Sequence, residues 1–155
     1  IEEMTRDGLR LNNPAGGLEP GESVLEGVAR EALEETARPF TPEALLGVYM
    51  ARNPDSPGRP GVTYLRFAFC GSAGEPEPGR ALDVPVVRTL WMTAEEIAAA
   101  ADRLRGPLVL QCIADHAAGR RLPLEALYTH PSVARPDPAS ATADPPLADD
   151  PGAPA

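Results

Sequence analysis

Between residues 16 and 35 a glycine, an arginine and four glutamates stand at fixed intervals: Gly16, five residues, Glu22, seven residues, Arg30-Glu31, two residues, Glu34-Glu35. This pattern confines the segment to a Gly-rich turn running into one helix. Ser23 is a good N-cap, and Glu26 three positions on completes a capping box. Pro39 ends the helix near 36–38, because proline lacks the donor and clashes with the preceding turn. At roughly 100° per residue, Glu31, Glu34 and Glu35 share an arc of about 100° on the helix surface. Leu25, Ala29, Ala32 and Leu33 fall largely on the other side and face a core, with Val28 at the boundary.

Three carboxylates so close together repel and raise one another's pKa values. A hard divalent cation resolves that conflict, since Mg²⁺ takes carboxylate and water oxygens and is commonly shared with substrate phosphates. Gly27 lies on the carboxylate side, at a cost of roughly 1 kcal/mol relative to alanine, and leaves room there for a metal or phosphate. The Pro14-Ala15-Gly16-Gly17 turn offers a backbone carbonyl as a further oxygen ligand. Arg30 either pairs with a carboxylate and fixes its orientation or meets a phosphate oxygen. A Glu-rich helix is usually just a solvated face. The fixed spacing across loop and helix favours the metal reading here.

Bulk properties agree with a small phosphorylated substrate. The 155 residues suit one domain. The formal charge of −9, with no basic cluster larger than Arg120-Arg121, argues against nucleic acid as a partner. A polyphosphate would be repelled too unless a cation bridged it. No apolar run approaches membrane-spanning length. Cys70 and Cys112 have no metal-like spacing and read as reduced, buried thiols of a cytoplasmic protein.

Along the chain, residues 1–4 read as the end of a strand, 5–8 as a turn and 9–11 as a short extended segment. Strands are expected over 44–51, 62–70 and 84–92, separated by Pro/Gly loops at 53–61 and 71–80. Thr93 and Glu96 repeat the capping box and open a helix through Arg105. Pro107 suits the first turn of a last helix that Gly119 closes. From 133 to 155 the chain is mostly Ala, Pro and Asp, too poor in apolar residues to offset its ordering entropy. It reads as a disordered tail behind a folded domain of residues 1–132. The element order suggests an α/β/α sandwich.

The pattern resembles the signature of the Nudix hydrolases, G-x5-E-x7-R-E-U-x-E-E-x-G-U, where U is bulky and apolar. Gly16, Glu22, Arg30, Glu31, Glu34 and Glu35 match. Ala37 stands where the family has glycine, Arg38 where it has an apolar residue, and Ala32 is small for U. Similarity to the NudJ-type phosphatase subgroup runs through most of residues 1–130. It includes Asn12-Asn13-Pro14-Ala15-Gly16, Tyr64-Leu65-Arg66-Phe67, Trp91-Met92-Thr93-Ala94-Glu95-Glu96-Ile97 and Arg105-Gly106-Pro107-Leu108-Val109.

The resemblance implies the Nudix α/β/α sandwich around a mixed sheet, with a strand and turn that in relatives precede the segment beginning at Ile1. A sheet without that strand exposes an edge on which a second copy could pair; the oligomeric state itself is not legible. The activity implied is Mg²⁺-dependent hydrolysis, with Mn²⁺ as a substitute, of phosphoanhydride bonds in hydroxymethylpyrimidine pyrophosphate or nucleoside di- and triphosphates. A broader nucleotide or nucleotide-sugar pyrophosphatase and a non-catalytic nucleotide-binding module stay open beside it. By resemblance, Glu34 and Glu35 are the main metal ligands, Glu31 shares in binding or activates water, and the Ala15 carbonyl completes the set. Glu22 orients the helix or a water, and Arg30 steadies the carboxylates. Asp83 holds the place of an acidic pair in relatives and is the obvious extra ligand or base.

The remaining candidates have plainer readings. His116 and His130 lack zinc spacing and read as ordinary histidines. Of Tyr64, Arg66 and Phe67 on one strand, the aromatics suit core packing, leaving Arg66 as the substrate-facing candidate. Trp91 reads as a core anchor, and Arg120-Arg121 as a solvated pair. Removing residues 134–155 is expected to leave hydrolytic activity unchanged; a large loss in the shortened chain would show that the tail takes part.

Overall fold

A computed structural model describes residues 1–53 and 60–134. The tail expectation therefore lies outside the described residues from 135 onward, as does the 54–59 part of the proline-rich loop. Strand β1 (Glu2–Thr5) turns through Gly8 at φ +90° into β2 (Gly8–Leu11). On its other side β1 pairs with β5 (Val86–Arg88), giving the order β2-β1-β5. A second sheet is the long hairpin of β3 (Phe40–Arg52) and β4 (Thr63–Ala73). Helices α1 (Val24–Thr36) and α3 (Pro107–Ala117) both pack on β3, and α2 (Ala94–Ala99) packs on α3. Strands flanked by helices are what an α/β/α sandwich requires.

The strand pairs of both sheets are antiparallel. Where a mixed sheet is expected, parallel pairing among the described residues is confined to one bridge, Leu11 to Leu104. That bridge, with the Arg105 amide donating to the Leu11 carbonyl at 2.9 Å, also explains why the helix expected over 93–105 stops early. α2 ends at Ala99, a 3-10 turn covers Ala101–Arg103, and Leu104 is extended because it pairs with β2. Local propensity favours helix there, and the tertiary contact overrides it.

The strand expected over 84–92 also shrinks, to Val86–Arg88. Pro85 has no amide hydrogen to give a ladder, and the Val86 amide closes a turn onto the Asp83 carbonyl at 2.8 Å. The strands expected at 44–51 and 62–70 are present but longer, extending each other as partners in one hairpin. Trp91 is not a core anchor. It is 78 % exposed, with the Arg38 guanidinium 5.8 Å from its ring centroid. Tyr64 is likewise exposed rather than packed in a core, while Phe67 is half-buried.

The core joins β3 to α3 through Leu46, Tyr49 and Cys112, with Ala68 and Leu108 packed against them. The Tyr49 hydroxyl donates to Asp115 Oδ2 at 2.7 Å, so the buried ring keeps a partner for its polar end. Burial of that ring pushes the Tyr49 phenol well above its usual range.

Two acids are buried on β1. Glu2 accepts from Arg88 and Arg103, and Glu3 accepts from Arg105 and from the Asn12 amide. The Arg88 hydrogen bond is the main reason the Glu2 carboxyl titrates below its ordinary value. The arginine pairs cross large sequence separations and tie β1 to segments near residues 88 and 101–105. An acid so placed is tolerated because it is paired.

α1 ends as its capping chemistry requires. Ser23 accepts from the Glu26 amide and Glu26 accepts from the Ser23 amide, completing the capping box. At the other end Ala37 adopts φ 56°, ψ 18°, the left-handed conformation that favours glycine. This is why the family signature carries glycine at that position. Ala37 is buried, so Ala37→Gly trades roughly 1–2 kcal/mol of left-handed strain against about 0.8 kcal/mol of methyl burial and the backbone entropy of glycine. Chemical denaturation should find it level with the parent chain, whereas Ala37→Val should lose about 2 kcal/mol or more.

Candidate functional site

The signature residues meet around one guanidinium. Arg30 donates to Glu22 through both Nε (2.9 Å to Oε2) and Nη2 (2.7 Å to Oε1), a bidentate pair. Its Nη1 donates to Glu31 Oε1 at 2.8 Å and to Glu34 Oε2 at 2.9 Å. Nη2 also reaches the Gly17 carbonyl at 3.0 Å, so the loop before the helix is fastened to the same group. Of the two roles open to Arg30 in the sequence, pairing with carboxylates is the one this geometry displays. The Glu22 hydrogen bonds are the largest reason that Arg30 is held charged even more firmly than an ordinary arginine.

Glu35 stands apart from this hub. Its Oε2 accepts from the Ala15 amide at 2.8 Å, which brings the fourth carboxylate against the loop. Burial pushes the Glu35 carboxyl up to about 7; the Ala15 hydrogen bond opposes that rise, and the charges of Glu31 and Glu3 add to it. The Ile1 ammonium offsets part of the rise, and a half-buried carboxylate compensated only in part is an environment in which a further cation is favourable.

The glycines have steric reasons. A Cβ on Gly16 would lie 1.9 Å from Glu31 Oε1, so the first residue of the signature is glycine because a carboxylate occupies that space. Gly27 leaves no gap for a metal or phosphate, contrary to expectation. A Cβ there would meet Leu18 Cδ2 at 2.8 Å and Glu22 Oε1 at 3.0 Å, so its space is already filled. Gly27 is what lets the loop and Glu22 lie close against α1.

Glu31, Glu34, Glu35 and the Ala15 carbonyl form a hard, all-oxygen donor set, which suits a hard divalent cation. In this structure Glu31 and Glu34 are paired to Arg30, while Glu35 lies against the Ala15 amide. Among the described residues, no three acidic, histidine or cysteine side chains converge as a ligand set would. Arg30 draws Glu22, Glu31 and Glu34 onto itself instead. Asp83 is exposed, and its amide donates to the Glu34 carbonyl at 3.0 Å, which puts it beside the C-terminal half of α1.

A cavity of about 410 Å³ runs along β4 between α1 and α3, bounded on α1 by Val28, Ala32 and Thr36 and reaching Ala15 of the loop, with Arg66, Phe67 and Cys112 also in its lining. Arg66 reaches Asn12 Oδ1 at 3.5 Å. Burial is what chiefly pushes the Cys112 thiol above its usual range, and the nearby Arg66 charge opposes the rise. Both cysteines are free, Cys112 buried and Cys70 half-buried. His116 lines the same cavity, whereas His130 lies on the surface and meets Ser132. Arg120 is exposed but paired with Asp115. Sequence reasoning overlooked Glu3, whose charge is felt at Glu35. Glu3 belongs to no spacing motif, so only the folded chain brings it to the site.

A NUDIX domain family model matches residues 3–111. The chain is 34 % identical over 125 residues to proteins named Phosphatase NudJ from Escherichia coli strain K12 and from Shigella flexneri, covering 81 % of this chain and 78 % of each relative. It is also similar to the solved structure of a NUDIX hydrolase from Nitrosomonas europaea, with a TM-score of 0.77 and 45 % identity over 84 % of this chain and 86 % of that one. With the signature residues gathered at one helix and the loop before it, the chain belongs to the Nudix hydrolase family.

Proposed function

We propose that this protein is a Mg²⁺-dependent phosphohydrolase, with Mn²⁺ able to substitute. Its substrate would be a small organic diphosphate of the hydroxymethylpyrimidine pyrophosphate kind or a nucleoside di- or triphosphate. The observation that carries the reading is the position of Glu35, half-buried against the Ala15 backbone beside Glu31 and Glu34 on one helix face, its charge only partly offset by the Ile1 ammonium. The relatives named as phosphatases support the same reaction class.

Glu34, Glu35 and the Ala15 carbonyl would hold the ion, with Glu31 as a further ligand. When bound, the ion supplies charge neutralisation on the phosphate oxygens and a more acidic water. Glu31 accepts the proton of the attacking water as its oxygen forms a bond to phosphorus and the anhydride oxygen departs with the bond's electron pair. Glu22 keeps Arg30 in place, and Arg30 keeps the carboxylates on the substrate side of α1. Arg66 and Asp83 are the candidate substrate contacts, one on the cavity wall and one beside α1. The two free thiols are in keeping with a reducing, cytoplasmic setting, and no helix among the described residues is long and apolar enough to cross a membrane.

A binding module without turnover is the competing reading, favoured by the engagement of three carboxylates with Arg30. Phosphate and pyrophosphate release, measured with and without Mg²⁺ over hydroxymethylpyrimidine pyrophosphate and the nucleoside di- and triphosphates, separates the two. Mg²⁺-dependent release is the expected result; folded protein that turns over none of them would leave the binding module. Glu35→Gln should lower turnover by at least on the order of 10²-fold without lowering the melting temperature, since the neutral amide is cheaper to bury than the carboxylate. Turnover like that of the parent chain would sink the metal assignment. Gly16→Ala should keep the fold, because the clash falls on the flexible end of Glu31, yet lose roughly tenfold or more in kcat as that carboxylate is displaced. An unchanged kcat would show that Glu31 is not needed where it stands.

A further inference from the structure

Most arginines of this chain are held by its own acids. Arg30, Arg80, Arg88, Arg103, Arg105 and Arg120 each meet a carboxylate. Arg66 is different. It is half-buried on β4, lines the 410 Å³ cavity and meets no acidic side chain within ion-pairing distance among the described residues. Its partner is a neutral oxygen, Asn12 Oδ1, at a long 3.5 Å. A half-buried cation without an acid is costly in isolation, and a guanidinium is well shaped to meet that cost by taking a phosphate.

Asn12 sets how Arg66 is presented. Asn12 Nδ2 donates to Glu3 Oε1 at 3.2 Å, and Glu3 is itself buried and paired with Arg105. An ionised carboxylate can only accept, so the Glu3 contact fixes which end of the Asn12 amide faces which neighbour. The NH₂ is directed at Glu3 and the carbonyl oxygen at Arg66. This line joins β1 through Glu3, the loop before α1 through Asn12, and β4 through Arg66. A carbonyl aims a guanidinium without neutralising it, whereas an acid in the same place would cancel its charge. Asn12 also lies three residues before Ala15, whose amide meets Glu35, so one loop reaches both the arginine and the carboxylate helix.

We propose that Asn12 is a positioning residue: held by Glu3, it aims a charged Arg66 into the cavity, where Arg66 binds phosphate oxygens of the ligand. The inference rests on the proposed function in taking the ligand to be a small phosphorylated molecule. It adds a contact for the ligand's charge on β4, away from the carboxylates of α1. Nη2 makes the Asn12 contact, and the guanidinium carries further donors for an anion.

The experiment titrates the full chain with inorganic pyrophosphate in the presence of Mg²⁺, read by calorimetry, which needs no turnover. Arg66→Gln should weaken binding at least about tenfold, as the loss of charge-assisted hydrogen bonds predicts. Asn12→Leu, similar in size but unable to accept, should weaken it about threefold or more. Asn12→Asp, which still accepts but cancels the charge, should weaken it as well. In the Arg66→Gln chain, Asn12→Leu should cause no further loss, because its effect travels through the arginine. On any substrate that the parent chain turns over, the Asn12→Leu loss should fall on KM more than on kcat. Melting temperatures show that the variants fold; Asn12→Ser, too short to reach Arg66, replaces Asn12→Leu if that chain does not. Parent-like binding by any of the three single variants, independent losses in the double variant, a loss carried by kcat alone, or no binding by the parent chain would each overturn the proposal. The expected pattern in protein that hydrolyses nothing would instead sink the proposed reaction and leave the role of Asn12 standing.

Discussion

One guanidinium makes the first helix tolerable. Glu22, Glu31 and Glu34 are gathered within hydrogen-bonding reach of Arg30, an arrangement that would otherwise repel. At an effective dielectric of about 20, two unit charges roughly 6 Å apart interact by on the order of 3 kcal/mol, against about 4 kcal/mol at 4 Å. A single cation close to three anions therefore more than offsets their mutual repulsion. Because Arg30 also holds the Gly17 carbonyl, the same contact fastens the loop to α1. The position of Ala15, and with it the contact to Glu35, depends on that fastening.

The rest of the architecture repeats the device. Glu2 and Glu3 are buried on β1, the middle strand of the small sheet; Glu2 is met by Arg88 and Arg103 and Glu3 by Arg105, all far away in sequence. These pairs bring β5, the Ala101–Arg103 turn and Arg105 against β1. Removing one partner would leave a buried charge uncompensated, which costs more than the pair contributes when intact. The buried acids are thus registers for the chain, and the apolar core of Leu46, Tyr49 and Cys112 supplies the burial.

The sequence was most informative where the causes are local. Both capping boxes, at Ser23 and Thr93, appear as read, because a cap needs only residues three apart. The left-handed residue after α1 explains one departure from the family signature, since alanine can occupy Ala37 at a modest cost. Where distant segments compete, local reading fails. Leu104 looks helical by propensity but pairs with Leu11, and the 84–92 segment looks like a strand but yields to the Asp83 turn. Trp91 is exposed for a related reason: hydrophobicity sets a tendency to be buried, and the packing around a residue decides whether it is.

By itself, the sequence determined the family, the helix with its carboxylate face and the loop that precedes it, because fixed spacing on a regular helix is already geometry. Only the tertiary structure decided that Arg30 pairs with carboxylates, that Gly16 makes way for Glu31 and that the space at Gly27 is filled. It alone placed Glu3 beside the site. Those facts depend on which segments meet, and that is set by burial and pairing summed over the whole chain, which no local spacing encodes.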